Sequence, residues 1–139
     1  MKKMIVMLLT LCSLLISADI AWQPEIVKAF EKAEREHKLV MVMVEGKHCR
    51  WCKKMRYRTL DDGRVAKKLA SYINVRVDEE DKEVMATLPM INGVPTIFFF
   101  TPDQKVIERV EGYYDAADFL SFFKEIERKV WAVEKPEKE

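Results

Sequence analysis

The chain has 139 residues, which is enough for one domain with a buried core. Its composition, 49% apolar and 34% charged, is that of a globular protein and argues against a disordered or fibrous chain. The 24 basic residues balance 23 acidic residues, so the basic excess typical of nucleic-acid-binding proteins is missing. We therefore expect no nucleic-acid partner.

Residues 1–18 have the features of a secretory signal peptide. Lys2 and Lys3 form a basic start, and an apolar run from Met4 to Ile16 follows. This run is shorter than the roughly 20 residues that a membrane span needs, although an uncleaved N-terminal anchor is the alternative interpretation. Cleavage after this segment would leave residues 19–139 as the mature domain, in the periplasm or otherwise exported.

The first predicted elements of the mature domain are a helix and a buried strand. Apolar residues recur at helical spacing from Trp22 to Glu36, and Pro24 suits the first helical position. Residues 39–45 are apolar on both faces of an extended chain. This pattern is typical of a central strand that is covered on both sides.

Two cysteines, Cys49 and Cys52, follow this strand and open a predicted helix over residues 49–58. They are the only cysteines of the mature chain, because Cys12 lies within the predicted signal peptide. Their spacing closes almost no loop, so a purely structural disulfide would gain little stability from it. Unpaired N–H groups at the start of a helix favour the thiolate, which is the reactive form in disulfide exchange. We predict that Cys49 attacks disulfides and that Cys52 resolves the mixed intermediate.

The rest of the chain alternates helices and strands. We predict a helix over 64–71 capped by Asp62, a strand over 72–78, a short helix over 81–88, a hairpin of strands 96–100 and 105–111, and a last helix capped by Asp115. Helical crossovers should make the first two strands parallel, whereas the hairpin is antiparallel. The sequence thus predicts an α/β domain with a mixed sheet of four, or else five, strands and helices on both faces.

Several short stretches resemble the thioredoxin-like superfamily, and in particular its exported thioredoxin-related members with a C-x-W-C active site. The matching stretches are Lys38-Leu39-Val40, Cys49-Arg50-Trp51-Cys52-Lys53-Lys54-Met55, Thr59-Leu60-Asp61-Asp62, Val77-Asp78 and Gly93-Val94-Pro95-Thr96. They extend over most of residues 22–130. The resemblance implies a thioredoxin fold and a thiol-disulfide oxidoreductase that needs no cofactor.

The resemblance also implies a substrate-binding surface around the cysteines. Pro95 should follow a cis peptide bond and lie beside the cysteine pair, where the backbone of Val94 would pair with a substrate peptide like an added strand. Trp51 lies between the cysteines and should be partly exposed, in a position to contact partner proteins.

One departure from the family pattern concerns the buried acid that normally lies six residues before the first cysteine. Met43 occupies that position here. Glu45 is the nearest carboxylate and could replace the acid, or it could be a solvated residue at the end of the strand. His48 could stabilise the thiolate when protonated, or it could be an ordinary exposed loop residue.

Two other functions compete with redox catalysis. A structural zinc site needs four ligands. The mature chain has one C-x-x-C pair, Cys49 and Cys52, and no second such pair; the other candidate ligands are His37 and His48, so we expect no metal. A thioredoxin-like binding module or holdase without redox turnover is the more serious alternative.

The direction of disulfide exchange is left open by the cysteine pair itself. Resemblance to exported reductase-type domains favours reduction, with a membrane redox partner as the electron donor. The expected substrates are cysteine-containing exported proteins. We expect a monomer, since no dimerisation segment is visible.

Overall fold

The computed structural model describes residues 19–134, so the predicted signal peptide lies outside the described residues. The strands are β1 (Trp22–Gln23), β2 (Val40–Glu45), β3 (Ile73–Asp78), β4 (Thr96–Phe100) and β5 (Val106–Glu111). The helices are α1 (Ile26–Glu36), α2 (Arg50–Lys54), a π-helix (Met55–Leu60) continuing from α2, α3 (Gly63–Leu69), α4 (Lys82–Met85) and α5 (Ala116–Glu134). Of these described helices, none is long and apolar enough to cross a membrane.

The strands form one mixed sheet in the order β1-β3-β2-β4-β5. β2 pairs in parallel with β3, which is parallel to β1, whereas β4 is antiparallel to both β2 and β5. The predicted α/β architecture and the mixed sheet are confirmed, with five strands rather than four.

The central strand β2 is buried on both faces, as its sequence predicts. Val40, Val42 and Val44 pack in a core with Ala29, Phe30 and other residues of α1. The alternate residues, Met41 and Met43, belong to a second core on the other face of the sheet. This second core includes Cys52, Met55, Leu69, Phe119 and Phe123, so α2, the π-helix, α3 and α5 cover that face.

The prediction of a helix beginning at Trp22 is wrong. Trp22 and Gln23 form the short strand β1, where they pair with Asn74 and Val75 of β3. Pro24 disfavours helical backbone in the residue before it, and β3 offers the two residues a hydrogen-bonded edge. The helix therefore begins at Ile26, after Pro24 rather than with it.

The helix that begins after Cys49 changes from α to π geometry at Met55 and ends at Leu60. The predicted end at Arg58 is therefore two residues short. At the end of the π-helix the buried hydroxyl of Thr59 donates a hydrogen bond to the carbonyl of Tyr114. This bond ties the helix that carries the cysteines to the segment that precedes α5.

Candidate active site

The two cysteines lie where β2 leaves the sheet and α2 begins. Gly46 and Lys47 turn the chain, and the backbone N–H of Cys49 donates to the carbonyl of Gly46 over 3.3 Å. Cys49 is the N-cap residue of α2 and has extended backbone angles. Its Sγ atom accepts a hydrogen bond of 3.0 Å from the backbone N–H of Cys52. The sulfur of Cys49 thus lies at the positive end of the helix, as predicted.

Cys49 and Cys52 form a disulfide with an S–S distance of 2.11 Å. Their exposure differs: Cys52 is 1% exposed and belongs to the core, whereas Cys49 is only partly buried. Cys49 is therefore the more accessible of the two residues to an external thiol or disulfide, while Cys52 is shielded. This asymmetry agrees with attack by Cys49 and resolution by Cys52, and the two roles stay a prediction.

The predicted substrate-binding residues come together in one groove, and one of them, Trp51, lies between the two cysteines in the chain. Trp51, Val94 and Pro95 line one open groove with a volume of about 360 Å³, completed by Gly112 and Tyr113. The Val94–Pro95 peptide bond is cis. Thr96 then enters β4, with its hydroxyl donating to the carbonyl of Gly93 over 2.7 Å.

Tyr113 is a groove residue that sequence reasoning missed. Its ring lies 5.5 Å from the ring of Trp51, measured between centroids. The Nζ atom of Lys54 lies 4.8 Å from the Trp51 ring and 4.5 Å from the Tyr113 ring, so the cation bridges both. The sequence shows Gly112 as the end of the hairpin, and its φ of 86° is one that glycine adopts readily, but nothing in the sequence pairs Tyr113 with Trp51.

The position of the family's buried acid is fully apolar in this chain. Met43 is 0% exposed and lies in the same core as Cys52 and Met55. Glu45 lies at the end of β2 with its side chain 22% exposed. One of its oxygens is 3.0 Å from Nε of Arg56, and the other is 3.7 Å from Nη1 of Arg76. Glu45 is thus neither freely solvated nor unpaired, and a role in proton transfer stays a prediction.

His48 is exposed in the turn that precedes Cys49, and its predicted effect on the thiolate stays untested. The adjacent Lys47 forms an ion pair with Glu80, on the loop that follows β3. Another residue of that loop, Glu79, lies against Gly46: a Cβ atom on the glycine would be 2.6 Å from Oε1 of Glu79 and 3.4 Å from a methyl group of Val94. A carboxylate therefore lies on the Val94 side of the groove.

Comparisons with known proteins agree with this geometry. The profile of the thioredoxin-like domain family matches residues 26–127. No curated protein sequence matches the chain significantly.

Three similar solved structures are described as a thioredoxin, a disulphide-isomerase and an oxidoreductase. A thioredoxin from Thermus thermophilus is 25% identical, with a TM-score of 0.70, and the match covers 84% of this chain and 93% of that one. A candidate disulphide-isomerase from Bacteroides thetaiotaomicron is 26% identical, with a TM-score of 0.65 and coverage of 76% and 90%. An oxidoreductase named DsbH is 18% identical, with a TM-score of 0.66 and coverage of 79% and 85%. The chain belongs to the thioredoxin-like domain family, and its Cys49–Cys52 pair is that of a thiol-disulfide oxidoreductase.

Proposed function

We propose that this protein is an exported reductase that transfers electrons from the Cys49/Cys52 dithiol to disulfides of other exported proteins. The observation that supports the chemistry is the asymmetry of the pair. Cys49 is partly exposed and its sulfur accepts a hydrogen bond from the N–H of Cys52 at the helix start, whereas Cys52 is buried. The N-terminal segment typical of a signal peptide supports export.

The reaction proceeds in two exchange steps. The Cys49 thiolate attacks one sulfur of a substrate disulfide, which forms a mixed disulfide and releases the other substrate sulfur as a thiolate. The Cys52 thiolate then attacks Cys49, forms the Cys49–Cys52 disulfide and releases the second substrate thiolate. The substrate gains two electrons, and the protein loses two.

Each turnover leaves the protein oxidised, so a second dithiol must reduce it again. We propose a membrane redox partner for this step, because an exported protein is separated from the reducing systems of the cytosol. The partner would attack Cys49, since Cys52 is buried.

The groove that runs past the disulfide supports substrate binding by Trp51, Val94 and Pro95. An extended substrate segment would lie across the groove and pair with the backbone of Val94, which brings its disulfide to the sulfur of Cys49.

An insulin-disulfide reduction assay separates catalysis from the binding-module or holdase alternative. We expect Cys49→Ser to abolish turnover and Cys52→Ser to accumulate a mixed disulfide that is visible on a non-reducing gel. If Cys49→Ser retained the wild-type rate, the catalytic proposal would be wrong.

The direction of exchange is tested by the equilibrium redox potential of the pair. A value near or below about −270 mV, that of thioredoxin, agrees with a reductase, whereas a value near about −120 mV would show an oxidant and contradict the proposed direction.

A further inference from the structure

The surface that carries the cysteine pair is unusually cationic for a chain with balanced charge. Residues 46–60 contain Lys or Arg at 47, 50, 53, 54, 56 and 58 and contain no Asp or Glu. Lys47 and Arg56 are neutralised by ion pairs with Glu80 and Glu45. Within the described part of the chain, the remaining four cations form no ion pair with a carboxylate; they are Arg50, Lys53, Lys54 and Arg58.

Two of these four cations lie beside aromatic residues that line the proposed substrate groove. The guanidinium of Arg50 is 5.7 Å from the centroid of the Trp51 ring, and Nζ of Lys54 is 4.8 Å from it. Lys54 also lies 4.5 Å from the ring of Tyr113, which lines the same groove. Arg50 and Lys54 thus lie against aromatic rings, which carry no net charge and leave both cations unneutralised. A substrate segment in the groove would pass close to them.

The opposite side of the groove has the opposite charge. Glu79 lies beside Gly46 and near Val94, and it belongs to an acidic run that extends from Asp78 to Asp81. Among these residues, attraction for a negatively charged ligand comes from the Trp51 side, where Arg50 and Lys54 lie. A ligand that crosses the groove next to Trp51 would meet Arg50 and Lys54 first.

We propose that Arg50 and Lys54 determine substrate choice, favouring polypeptide disulfides that have Asp or Glu beside the reacting cysteine. This inference rests on the proposed function and adds the substrate class. Unpaired charges at the rim of a binding surface act mainly on the association rate and on the choice of partner. Their effect should fall steeply as salt screens it.

The test uses three synthetic peptides with an intramolecular disulfide that are identical except for Glu, Gln or Lys beside the cysteines. The fully reduced protein is mixed with each peptide in single turnover, and the reaction is quenched with an alkylating agent. Mass spectrometry then separates doubly alkylated protein from disulfide-bonded protein, and the loss of the alkylated form with time gives the second-order rate constant. We expect the Glu peptide to react about tenfold faster than the Lys peptide at 0.01 M salt, where the Debye length is about 30 Å, with the Gln peptide between them. At 1 M salt, where that length is about 3 Å, the rates should converge.

The double variant Arg50→Gln/Lys54→Gln should reduce the Glu-to-Lys rate ratio to about twofold. Loss of positive charge near Cys49 also changes its thiolate content, but that change affects both peptides equally and cancels in the ratio. Arg35→Gln is the matched control, because Arg35 is an exposed cation in the last turn of α1, at the other end of β2 from the cysteines. This control should keep the wild-type ratio.

Each unfavourable outcome identifies which claim fails. Wild-type protein that reduces all three peptides at equal rates would overturn the charge preference and leave the reductase intact. A ratio that survives in the double variant would overturn the assignment to Arg50 and Lys54. Protein that reacts with none of the peptides would refute disulfide exchange itself, and the substrate preference with it.

Discussion

Cys49 and Cys52 differ in exposure, and the residues around Cys52 explain why it is the shielded partner. Met43 and Met55 belong with it to a core from which water is excluded, and both are 0% exposed. The sequence identified Met43 as a departure from the family pattern, and its burial in an apolar core shows that an ionised group at this position would be removed from water. Proton transfer at Cys52 therefore does not use a carboxylate at position 43.

Met43→Asp tests the apolar character of this position. We expect it to lower the free energy of unfolding at pH 7 by about 3–5 kcal/mol, because the charge would be buried without a partner. The loss should shrink as the pH falls towards about 3, below the pKa of about 3.9 of an unfolded-state aspartate, where the carboxyl group is protonated in both states. Urea denaturation measures it, with Met43→Leu as the volume-conserving control that should cost under about 1.5 kcal/mol. If Met43→Asp left the free energy of unfolding at pH 7 unchanged, a polar partner or water would have to lie beside position 43, and the site would not be apolar.

Among the elements, the π-helix and the segment before α5 are coupled through Thr59. Its hydroxyl satisfies the carbonyl of Tyr114, the residue after the groove residue Tyr113. Thr59→Val keeps the shape of the side chain but leaves this carbonyl without its donor. We expect a loss of about 1–3 kcal/mol in the free energy of unfolding, measured as a lower urea midpoint at unchanged slope. Thr59→Ser keeps the hydroxyl and should lose less; equal losses in both variants would show that the hydrogen bond does not matter.

The elements also show how far the sequence could predict the structure. The long periodic segments, such as the buried strand β2 and the helix capped by Asp62, carry their own pattern and were predicted within one or two residues. β1 has two residues, too few for any periodicity, and it forms only because β3 offers an edge. The contact of Tyr113 with Trp51 joins residues that lie far apart in the chain, so local patterns could not predict it.

For the whole molecule, the stability of the fold should fall at high pH because of Tyr72. Its ring packs against Phe99 of β4 and Phe123 of α5, with centroids 5.7 Å away in both cases. Burial, and to a lesser extent the charge of Glu127, raises the pKa of Tyr72 to about 12. The folded state therefore holds the phenolic proton more tightly than the unfolded state, whose tyrosine has a pKa of about 10. This contribution to stability is complete below pH 10 and is lost as the pH rises towards 12.

Unfolding in urea at pH 9, 10 and 11 tests this dependence. Because the ring is partly solvated, we expect Tyr72 to account for a loss of only about 1 kcal/mol by pH 11. Tyr72→Phe should flatten the pH profile over this range. Identical profiles for the variant and the wild-type protein would contradict the assignment.

The reactivity that the fold gives to the first cysteine underlies both the proposed reduction and the proposed substrate preference. The most direct measurement is the rate at which iodoacetamide alkylates each thiol of the reduced protein between pH 5 and pH 10, with the two sites separated by mass spectrometry. Free cysteine has a pKa of about 8.5. We predict that Cys49 reacts first and reaches half its maximal rate at a pH well below that value, while Cys52 stays protected. A Cys49 that titrates like free cysteine, or a Cys52 that reacts first, would contradict the account.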